Sequence, residues 1–239
     1  MIKVSSVTKI FGRDFKAVDD LNLEINEGKI YGFLGPNGAG KTTTLKMLTG
    51  ILSPDIGRIV INGYDIVKNP NEAKREFAFV SDNPDMFLKL KGIEYLKFVG
   101  KIYDLQEEKL KEDIFKYSEL LGMQDVLNDR MESYSHGMRQ KINLIAALIH
   151  HPKIWILDEP LTGLDPKSSH TLKQMMRNHA DEGNIVLFST HVLEVAEKVC
   201  DHLFIINQGK LIFDGEISEL KNKKDDSLEE IFLELVDHE

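Results

Sequence analysis

Short apolar runs recur along roughly the first third of the chain, and their spacing predicts strands. Residues 30–34 form one such run and residues 77–80 form another. Residues 57–63 alternate between apolar and polar side chains, which is typical of a strand at the exposed edge of a sheet. Residues 42–49 instead have the pattern of a helix. The sequence therefore predicts a strand-rich beginning that contains an early helix.

The hydrophobic spacing changes to a helical period between residue 92 and about residue 150. Glu and Lys occupy the positions between the apolar stripes, as they do on the solvated faces of helices. We predict that the stripes belong to the hydrophobic core. The clearest stripes are formed by Tyr95, Leu96 and Val99 and, further along, by Leu110, Ile114 and Tyr117.

Strand and helix patterns alternate again from residue 154 onward, which predicts βα units around a parallel sheet. Residues 154–157 are apolar without alternation, as expected of a strand that is buried on both faces. Residues 207–209, with the sequence Asn-Gln-Gly, separate two apolar runs and predict a hairpin. A charge-dense break at residues 221–227 precedes a short terminal helix, which we predict at residues 228–236.

Length and composition predict a compact intracellular unit and exclude some classes of function. The 239 residues, 42% of them hydrophobic, can bury a sizeable core as one domain or two lobes. No segment approaches the ~18 consecutive apolar residues of a membrane span, and the N-terminus lacks a signal-peptide pattern. The single cysteine, Cys200, suits a reducing compartment because it cannot form an internal disulfide. The net charge of −9 argues against a nucleic-acid partner.

The glycine-rich segment after the first apolar run reads G-x-x-x-x-G-K-T, a phosphate-binding loop between a strand and a helix. Its glycines let backbone N–H groups point at phosphate oxygens, and the helix N-terminus adds further N–H groups. Lys41 is predicted to reach the β- and γ-phosphates, and the Thr42 hydroxyl to bind Mg²⁺. The loop comprises Gly35, Pro36, Asn37, Gly38, Ala39, Gly40, Lys41, Thr42 and Thr43. It predicts a nucleoside triphosphate without specifying the base.

Two carboxylates follow the strand predicted at residues 154–157, and they supply the second half of this site. Residues at the C-terminal end of a parallel strand face the crevice in which such sheets bind ligands. Asp158 is therefore predicted to hold Mg²⁺, directly or through water. Glu159 is predicted to polarise the attacking water. The alternative is a solvated turn, since Asp-Glu-Pro is a common loop composition.

These motifs and their order resemble the ATP-binding cassette (ABC) ATPases over almost the whole chain. Residues 154–159 match the Walker B strand with its catalytic Glu, and residues 161–165 match the D-loop. His191, after Ser-Thr, matches the switch histidine. Phe11 matches the aromatic residue that stacks on adenine. Residues 134–138, Tyr-Ser-His-Gly-Met, stand where the family has its Leu-Ser-Gly-Gly-Gln signature.

The resemblance implies an α/β fold, in which a P-loop NTPase core carries a strand-rich N-terminal subdomain and an inserted α-helical subdomain. Residues 1–82 and 153–220 would form the nucleotide-binding lobe, residues 83–152 the helical lobe and residues 221–239 a tail helix. Two chains would enclose two Mg²⁺·ATP, each between one chain's phosphate loop and the other chain's signature. The resemblance assigns catalysis to Lys41, Glu159 and His191, and further nucleotide contacts to Ser135, Gly137 and Asp165. Ser135 alone could equally be an ordinary helix cap.

Two departures from the family pattern change this picture. His136 replaces a signature glycine, so it adds bulk near the phosphate and could also donate a hydrogen bond. Asp82 stands where the family has the glutamine of the Q-loop, and we predict that it contacts Mg²⁺. The alternative is that Asp82 only caps the following turn. These departures, together with the tail, resemble the ATPase subunits of bacterial ABC-2-type exporters.

The resemblance further implies an ATP-hydrolysing subunit on the cytoplasmic face of the membrane. It would drive transmembrane permease subunits in the direction of export, as a homodimer or as a heterodimer with another ABC ATPase. Residues 84–90 carry four large apolar side chains and are predicted to dock the permease, the alternative being that Phe87 and Leu88 fill the junction between the lobes. A soluble ABC ATPase, such as one serving metal-cluster assembly, is the second hypothesis. Glu159 disfavours a third, a regulatory module that hardly hydrolyses ATP.

Overall fold

The structure is a computed structural model that describes residues 1–222 and Phe232. Within these residues, helices and strands follow the predicted order. The strands are β1 (Ile2–Phe11), β2 (Phe15–Ile25), β3 (Lys29–Leu34), β4 (Ile56–Ile61), β5 (Tyr64–Asp65), β6 (Phe77–Val80), β7 (Ile154–Asp158), β8 (Ile185–Thr190), β9 (His202–Asn207) and β10 (Lys210–Glu216). The helices are α1 (Lys41–Leu48), α2 (Pro70–Arg75), α3 (Gly92–Ile102), α4 (Glu107–Leu121), α5 (His136–Leu148), α6 (Pro166–Asp181), α7 (Leu193–Val199) and α8 (Ile217–Asn222).

The strands form two sheets of different character. The N-terminal sheet has four antiparallel strands in the order β2-β1-β4-β5. The second sheet has six strands in the order β10-β9-β3-β8-β7-β6, and all except the edge strand β10 run parallel. This order places β3, β8 and β7 side by side, so the segments that follow these three strands meet at one edge.

The central strand β7 shows why its run of apolar residues does not alternate. Ile154 and Ile156 point into a core shared with the four-stranded sheet and α1, whereas Trp155 and Leu157 point into the core beneath the helices. All five residues of β7 are buried. The prediction of a strand buried on both faces is therefore confirmed.

Helices α3, α4 and α5 fill the region that was predicted to be helical, and their apolar stripes lie in the core. Leu96, Leu110 and Ile114 belong to the same hydrophobic cluster as Trp155 and Leu157 of the sheet. The helical segment is thus continuous in its packing with the six-stranded sheet. The division into lobes at residues 82 and 152 stays a prediction.

The hairpin prediction is confirmed, and the edge-strand prediction is only half right. Gln208 and Gly209 join β9 to β10 with φ angles of 46° and 81°, the left-handed conformation that a tight hairpin turn requires. Strand β4 lies between β1 and the two-residue strand β5, which pairs with Val60 and Ile61. Only the first half of β4 therefore has a free side, because β5 is too short to cover it.

The end of the chain tests only part of the sequence prediction. Helix α8 continues to Asn222, past the point at which the charge-dense break was predicted to begin. The helix predicted at residues 228–236 lies outside the described residues except for Phe232. That side chain packs against the small hydrophobic cluster around Leu203 and Ile205. No helix in the described part of the chain is long and apolar enough to cross a membrane.

Candidate nucleotide-binding site

The parallel strands bring the predicted site residues to one edge of the sheet. Leu34, the last residue of β3, is in register with Thr190 of β8, and Asp158 at the end of β7 is in register with Ser189. The phosphate loop leaves β3 at this edge, and its last three residues, Lys41 to Thr43, form the start of α1. Residues that are more than a hundred positions apart in sequence therefore become neighbours at the carboxyl ends of the strands.

Glycine is required at both ends of the loop for steric reasons. A Cβ atom on Gly35 would collide with the carbonyl oxygen of Ile206, and one on Gly40 would collide with that of Ala17. Gly40 also has a φ of +108°, at the position that caps α1. Gly38, by contrast, has a positive φ and open space around it. The loop thus packs closely against its own chain at both ends and remains open in the middle.

Lys41 is held inside the loop. Its Nζ donates to the carbonyl oxygens of Gly35 at 2.7 Å and Pro36 at 3.1 Å. An ammonium group has three donors, so one remains beyond these two bonds. Burial lowers the pKa of Lys41, and the nearby carboxylates of Glu159 and Asp158 oppose that shift. The carbonyl groups of the loop itself therefore position this side chain.

A buried serine connects the two carboxylates that follow β7. The Ser189 hydroxyl donates to Asp158 Oδ1 at 2.6 Å and accepts from the backbone N–H of Glu159 at 3.0 Å. Asp158 and Ser189 are both fully buried. The serine thus fixes the first carboxylate and the start of the next turn together, a role that its place before His191 did not predict.

Glu159 and His191 face each other at the exposed side of this network. The Nδ1 atom of His191 lies 2.9 Å from Glu159 Oε1. Glu159 has a φ of +47°, unusual for a residue with a side chain. The side chain of Glu159 is 19% exposed, and that of His191 is 48% exposed. Both groups can therefore meet a ligand that enters from solvent.

The acceptors at the end of β7 fit a divalent cation. Asp158 Oδ2 is buried and has no hydrogen-bond partner among the described residues. Burial raises the pKa of Asp158; Ser189 and Thr42 lower it, and the charges of Asp82 and Glu159 raise it further. An orphaned carboxylate oxygen beside a threonine hydroxyl is the hard-oxygen environment that Mg²⁺ prefers. Asp158 and Thr42 are therefore suited to hold Mg²⁺, with Asp82 close enough to add its charge.

The turn after β6 is capped by a different residue from the one considered in the sequence. Ser81, not Asp82, accepts the hydrogen bond from the N–H of Asn83, at 3.3 Å. The same hydroxyl donates to Asp82 Oδ1 at 3.0 Å. Asp82 is exposed, and its carboxylate acts on Asp158 through space. This arrangement disfavours the turn-cap alternative and leaves the metal contact as a prediction.

Comparison with known proteins identifies the family. The ABC transporter family matches residues 18–162, which is more than half of the chain. The chain belongs to this family and is one of its ATPases. The ABC transporter ATP-binding protein NatA of Bacillus subtilis is 36% identical over 220 residues, covering 91% of this chain and 89% of NatA.

Two further comparisons agree over most of the length of this ABC ATPase. The bacitracin transport ATP-binding protein BcrA of Bacillus licheniformis is 36% identical over 230 residues, covering 96% of this chain and 74% of BcrA. A solved ATP-binding subunit of an ABC transporter has a TM-score of 0.92 at 28% identity, covering 98% of this chain and 99% of that one. The predicted P-loop NTPase fold is thus confirmed, and the family binds nucleotide.

Phe11 is the last residue of β1, in the four-stranded N-terminal sheet of the ABC ATPase. It is 40% exposed, and the turn that follows contains Gly12 with a φ of +65°. The ammonium of Lys9 lies 5.7 Å from the centre of the Phe11 ring. An exposed ring beside a cation offers a face to a base, so adenine stacking stays a prediction that this exposure permits.

The signature segment (residues 134–138) is separate from the phosphate loop of the same chain. Ser135 caps α5, where its hydroxyl accepts from the N–H of Met138 at a long 3.3 Å. Ser135 is exposed, and no hydrogen bond among the described residues joins it to the loop. The structure therefore brings Lys41, Thr42 and Asp158 together, whereas Gly137 lies against Gly163 and Ser135 is exposed at the start of α5.

Asp165 is engaged within its own chain. It caps α6 by accepting from the N–H of Ser168 at 2.9 Å, and Lys141 of α5 pairs with it at 2.8 Å. Lys141 first, and then Ser168, hold the pKa of Asp165 well below its usual range. Its predicted nucleotide contact therefore competes with two structural partners. Asp165 directly before Pro166 matches a helix cap followed by proline at the first helical position, and this signal was available in the sequence.

Proposed function

We propose that this chain is the ATP-hydrolysing subunit of an ABC exporter and that two copies, or one copy and a second ABC ATPase, enclose two Mg²⁺·ATP. The observation that carries the proposal is the set of groups at one edge of the sheet. Lys41 lies in the loop, Asp158 presents an unpaired oxygen, and Glu159 contacts His191. Each type of group needed for phosphoryl transfer to water is present there.

In the proposed mechanism, Lys41 binds the β- and γ-phosphates with its remaining donor. Mg²⁺, when bound by Asp158 and Thr42, would neutralise phosphate charge. Glu159 orients the attacking water and accepts its proton. The Nδ1 atom of His191 lies 2.9 Å from the Glu159 carboxylate, and the imidazole can donate to the γ-phosphate. The geometry supports these roles because Glu159 and His191 are the partly exposed members of the network.

The exposed signature segment supports the dimer. Ser135 presents an exposed hydroxyl at the start of α5, and a helix N-terminus favours an anion. Because it lies away from the loop of its own chain, the phosphate that it binds would belong to a second chain. This division of the site would make hydrolysis depend on association.

Residues 84–90 are the proposed docking surface for the permease. Met86 is 49% exposed and Phe87 is 45% exposed, and the Phe87 ring packs 5.4 Å from Tyr95 and 5.7 Å from Phe98. Large apolar groups exposed together on one surface often mark an interface. BcrA, named for bacitracin transport, and NatA, named for an ABC transporter, support a role in transport.

Replacing Glu159 with Gln tests the proposed activity. A positioned general base contributes about 10²–10⁴-fold, so turnover should fall by about this range. The shape of the side chain is retained, so ATP should still bind and the ATP-bound dimer should persist on size-exclusion chromatography. Near-normal hydrolysis by Glu159→Gln, or a monomer in saturating ATP, would exclude the assigned role.

Replacing Phe87 with Ser tests whether residues 84–90 dock the permease. Phe87 lies outside the nucleotide-binding edge, so the basal ATPase rate should stay close to that of the wild type. Co-purification of membrane subunits from detergent-solubilised membranes should be lost. Phe115→Ser is a matched control, because this phenylalanine is 62% exposed on α4 outside the proposed surface. Retained co-purification with Phe87→Ser would contradict this docking surface, and a wild-type chain without a membrane partner would favour the soluble ABC ATPase.

A further inference from the structure

The imidazole of His136 lies directly against Gly163, which is in the D-loop segment (residues 161–165) of the same chain. A Cβ atom on Gly163 would lie 2.5 Å from Cδ2 and 3.1 Å from Nε2 of the histidine. Gly163 also has a φ of +77°. The backbone conformation therefore favours glycine at this position, and a side chain here would also displace the exposed His136 ring.

The next residue of the signature segment approaches the same glycine. A Cβ atom on Gly137 would lie 2.6 Å from the carbonyl oxygen of Gly163. Further along α5, Lys141 pairs with Asp165 at 2.8 Å. The first part of α5 thus holds the D-loop segment at its centre and at its end.

The D-loop segment begins beside the predicted general base. The N–H of Thr162 donates to the carbonyl oxygen of Glu159 at 3.1 Å, and that of Leu164 donates to Leu161 at 3.4 Å. Only three residues separate Glu159 from Gly163. A shift of α5 relative to Gly163 would therefore act on the backbone of Glu159 through a short and closely bonded turn.

We propose that His136 is a positioning residue that couples the signature segment to Glu159 through Gly163. The inference rests on the proposed function, because it concerns the placement of the proposed base. This role differs from the two that the sequence suggested for His136, which were added bulk near the phosphate and a donated hydrogen bond. The ring faces its own D-loop segment, so the bulk that replaces a signature glycine acts within the chain. His136 is required for correct placement of Glu159 and not for binding ATP.

Steady-state ATPase kinetics of His136→Gly and His136→Phe separate this role from nucleotide contact. Small displacements of catalytic groups can cost about 100-fold, so we expect kcat of His136→Gly to fall about 10- to 100-fold with KM for ATP unchanged. His136→Phe restores a ring against Gly163 and should recover most of kcat. A rise in KM that the phenylalanine does not correct would overturn the proposal and indicate a direct nucleotide contact.

A double-mutant cycle with Gly163→Ala tests the contact itself. In the wild type the new methyl group meets the imidazole, whereas in His136→Gly it does not. Gly163→Ala should therefore reduce kcat at least about ten-fold more in the wild-type background than in the His136→Gly background. Equal fold-losses in the two backgrounds would overturn the coupling.

Gly183→Ala is the matched control for backbone strain. Gly183 has a φ of +85°, close to that of Gly163, and no atom lies within 4 Å of its would-be Cβ. Thermal unfolding of each variant shows whether a loss of activity reflects unfolding. Glu159→Gln, measured in parallel, shows whether a negative result rejects this inference alone or also the proposed function on which it rests. Normal kcat in His136→Gly beside an inactive Glu159→Gln rejects this inference alone, and an active Glu159→Gln rejects the proposed function beneath it.

Discussion

The phosphate-loop edge and the signature segment are both predicted to bind phosphate, but they are built differently. At the edge, Asp158 and Ser189 are fully buried, and Lys41 is bonded to two loop carbonyls. In the signature segment, Ser135 is exposed and makes one long hydrogen bond of 3.3 Å. The first region is organised by its own chain, and the second presents its groups to solvent.

The difference indicates where the site is incomplete. Buried polar groups that are already hydrogen-bonded cost little to reorganise when ligand binds, so the edge is prepared for nucleotide in a single chain. The exposed groups of the signature segment are not arranged in this way around the nucleotide of their own chain. We infer that the edge determines affinity for ATP, whereas the signature determines association in the presence of ATP.

The largest expected effect is the loss of ATP affinity when Lys41 at the phosphate-loop edge is replaced, a change that should leave the fold intact. Lys41→Ala removes a cation whose charge-assisted hydrogen bonds to phosphate contribute about 1.5–3 kcal/mol each. We expect the Kd for ATP, measured by calorimetric titration, to rise about 100-fold or more. The unfolding midpoint should change little, because the desolvation cost of the buried cation, which lowers the pKa of Lys41, offsets the loss of its two bonds to the loop carbonyls.

Lys46→Ala is the control for this experiment, because it removes a lysine from the same helix outside the loop. It should bind ATP as the wild type does. Unchanged affinity in Lys41→Ala would remove the phosphate assignment from the loop. Equal losses in both variants would point to a disturbed α1 instead of a lost phosphate contact.

The next largest effect is the loss of stability expected when Ser189 at the edge is replaced, for comparison with Ser135 of the signature segment. Ser189→Ala leaves Asp158 Oδ1 and the N–H of Glu159 without their shared partner inside the protein. Leaving buried polar groups unsatisfied costs about 1–3 kcal/mol, so denaturant unfolding should show a loss of this size. Turnover should fall as well, because the backbone of Glu159 loses an anchor.

Ser135→Ala should show the opposite profile. Its cap is exposed and its hydrogen bond is long, so the stability loss should lie near the ~0.5 kcal/mol lower bound for helix caps. In a Glu159→Gln background, however, ATP-dependent dimerisation on size-exclusion chromatography should weaken. If Ser135→Ala destabilised the chain as much as Ser189→Ala while leaving dimerisation intact, the proposed contrast between the two regions would be wrong.

Sequence patterns predicted the elements of this site better than the bonds between them. The loop, the buried strand before Asp158 and the hairpin at Gln208 follow from local rules that depend on neighbouring residues. The link from Ser189 to Asp158 joins positions 31 residues apart in sequence. It depends on β8 lying beside β7, and the order of strands in a sheet is not encoded in any short window.

The departures from the family pattern were visible in the sequence, but their consequences were not. His136 is predicted to add bulk near the phosphate, and the sequence did not indicate that its ring lies against Gly163 of the same chain. Its direction depends on where the turn after Glu159 passes α5. Similarly, Ser81 was not considered as the cap of the turn before Pro84, because the choice between adjacent polar residues is decided by small differences in backbone direction.

The smallest expected effect concerns Asp82, which stands between the two regions in character: it is exposed like Ser135 but acts on the buried Asp158. Interactions between exposed charges are worth up to about 1 kcal/mol, which corresponds to about a five-fold change in an equilibrium. Asp82→Ala should therefore raise the Mg²⁺ concentration for half-maximal ATPase activity by up to about this factor. Asp82→Gln should restore much of the loss, since its carbonyl can accept from a metal-bound water.

Asp104→Asn, which removes an exposed carboxylate beyond α3, should leave the Mg²⁺ dependence unchanged. Identical Mg²⁺ curves for Asp82→Ala and the wild type would reject the metal role, and Asp82 would then act only as the acceptor of the Ser81 hydroxyl.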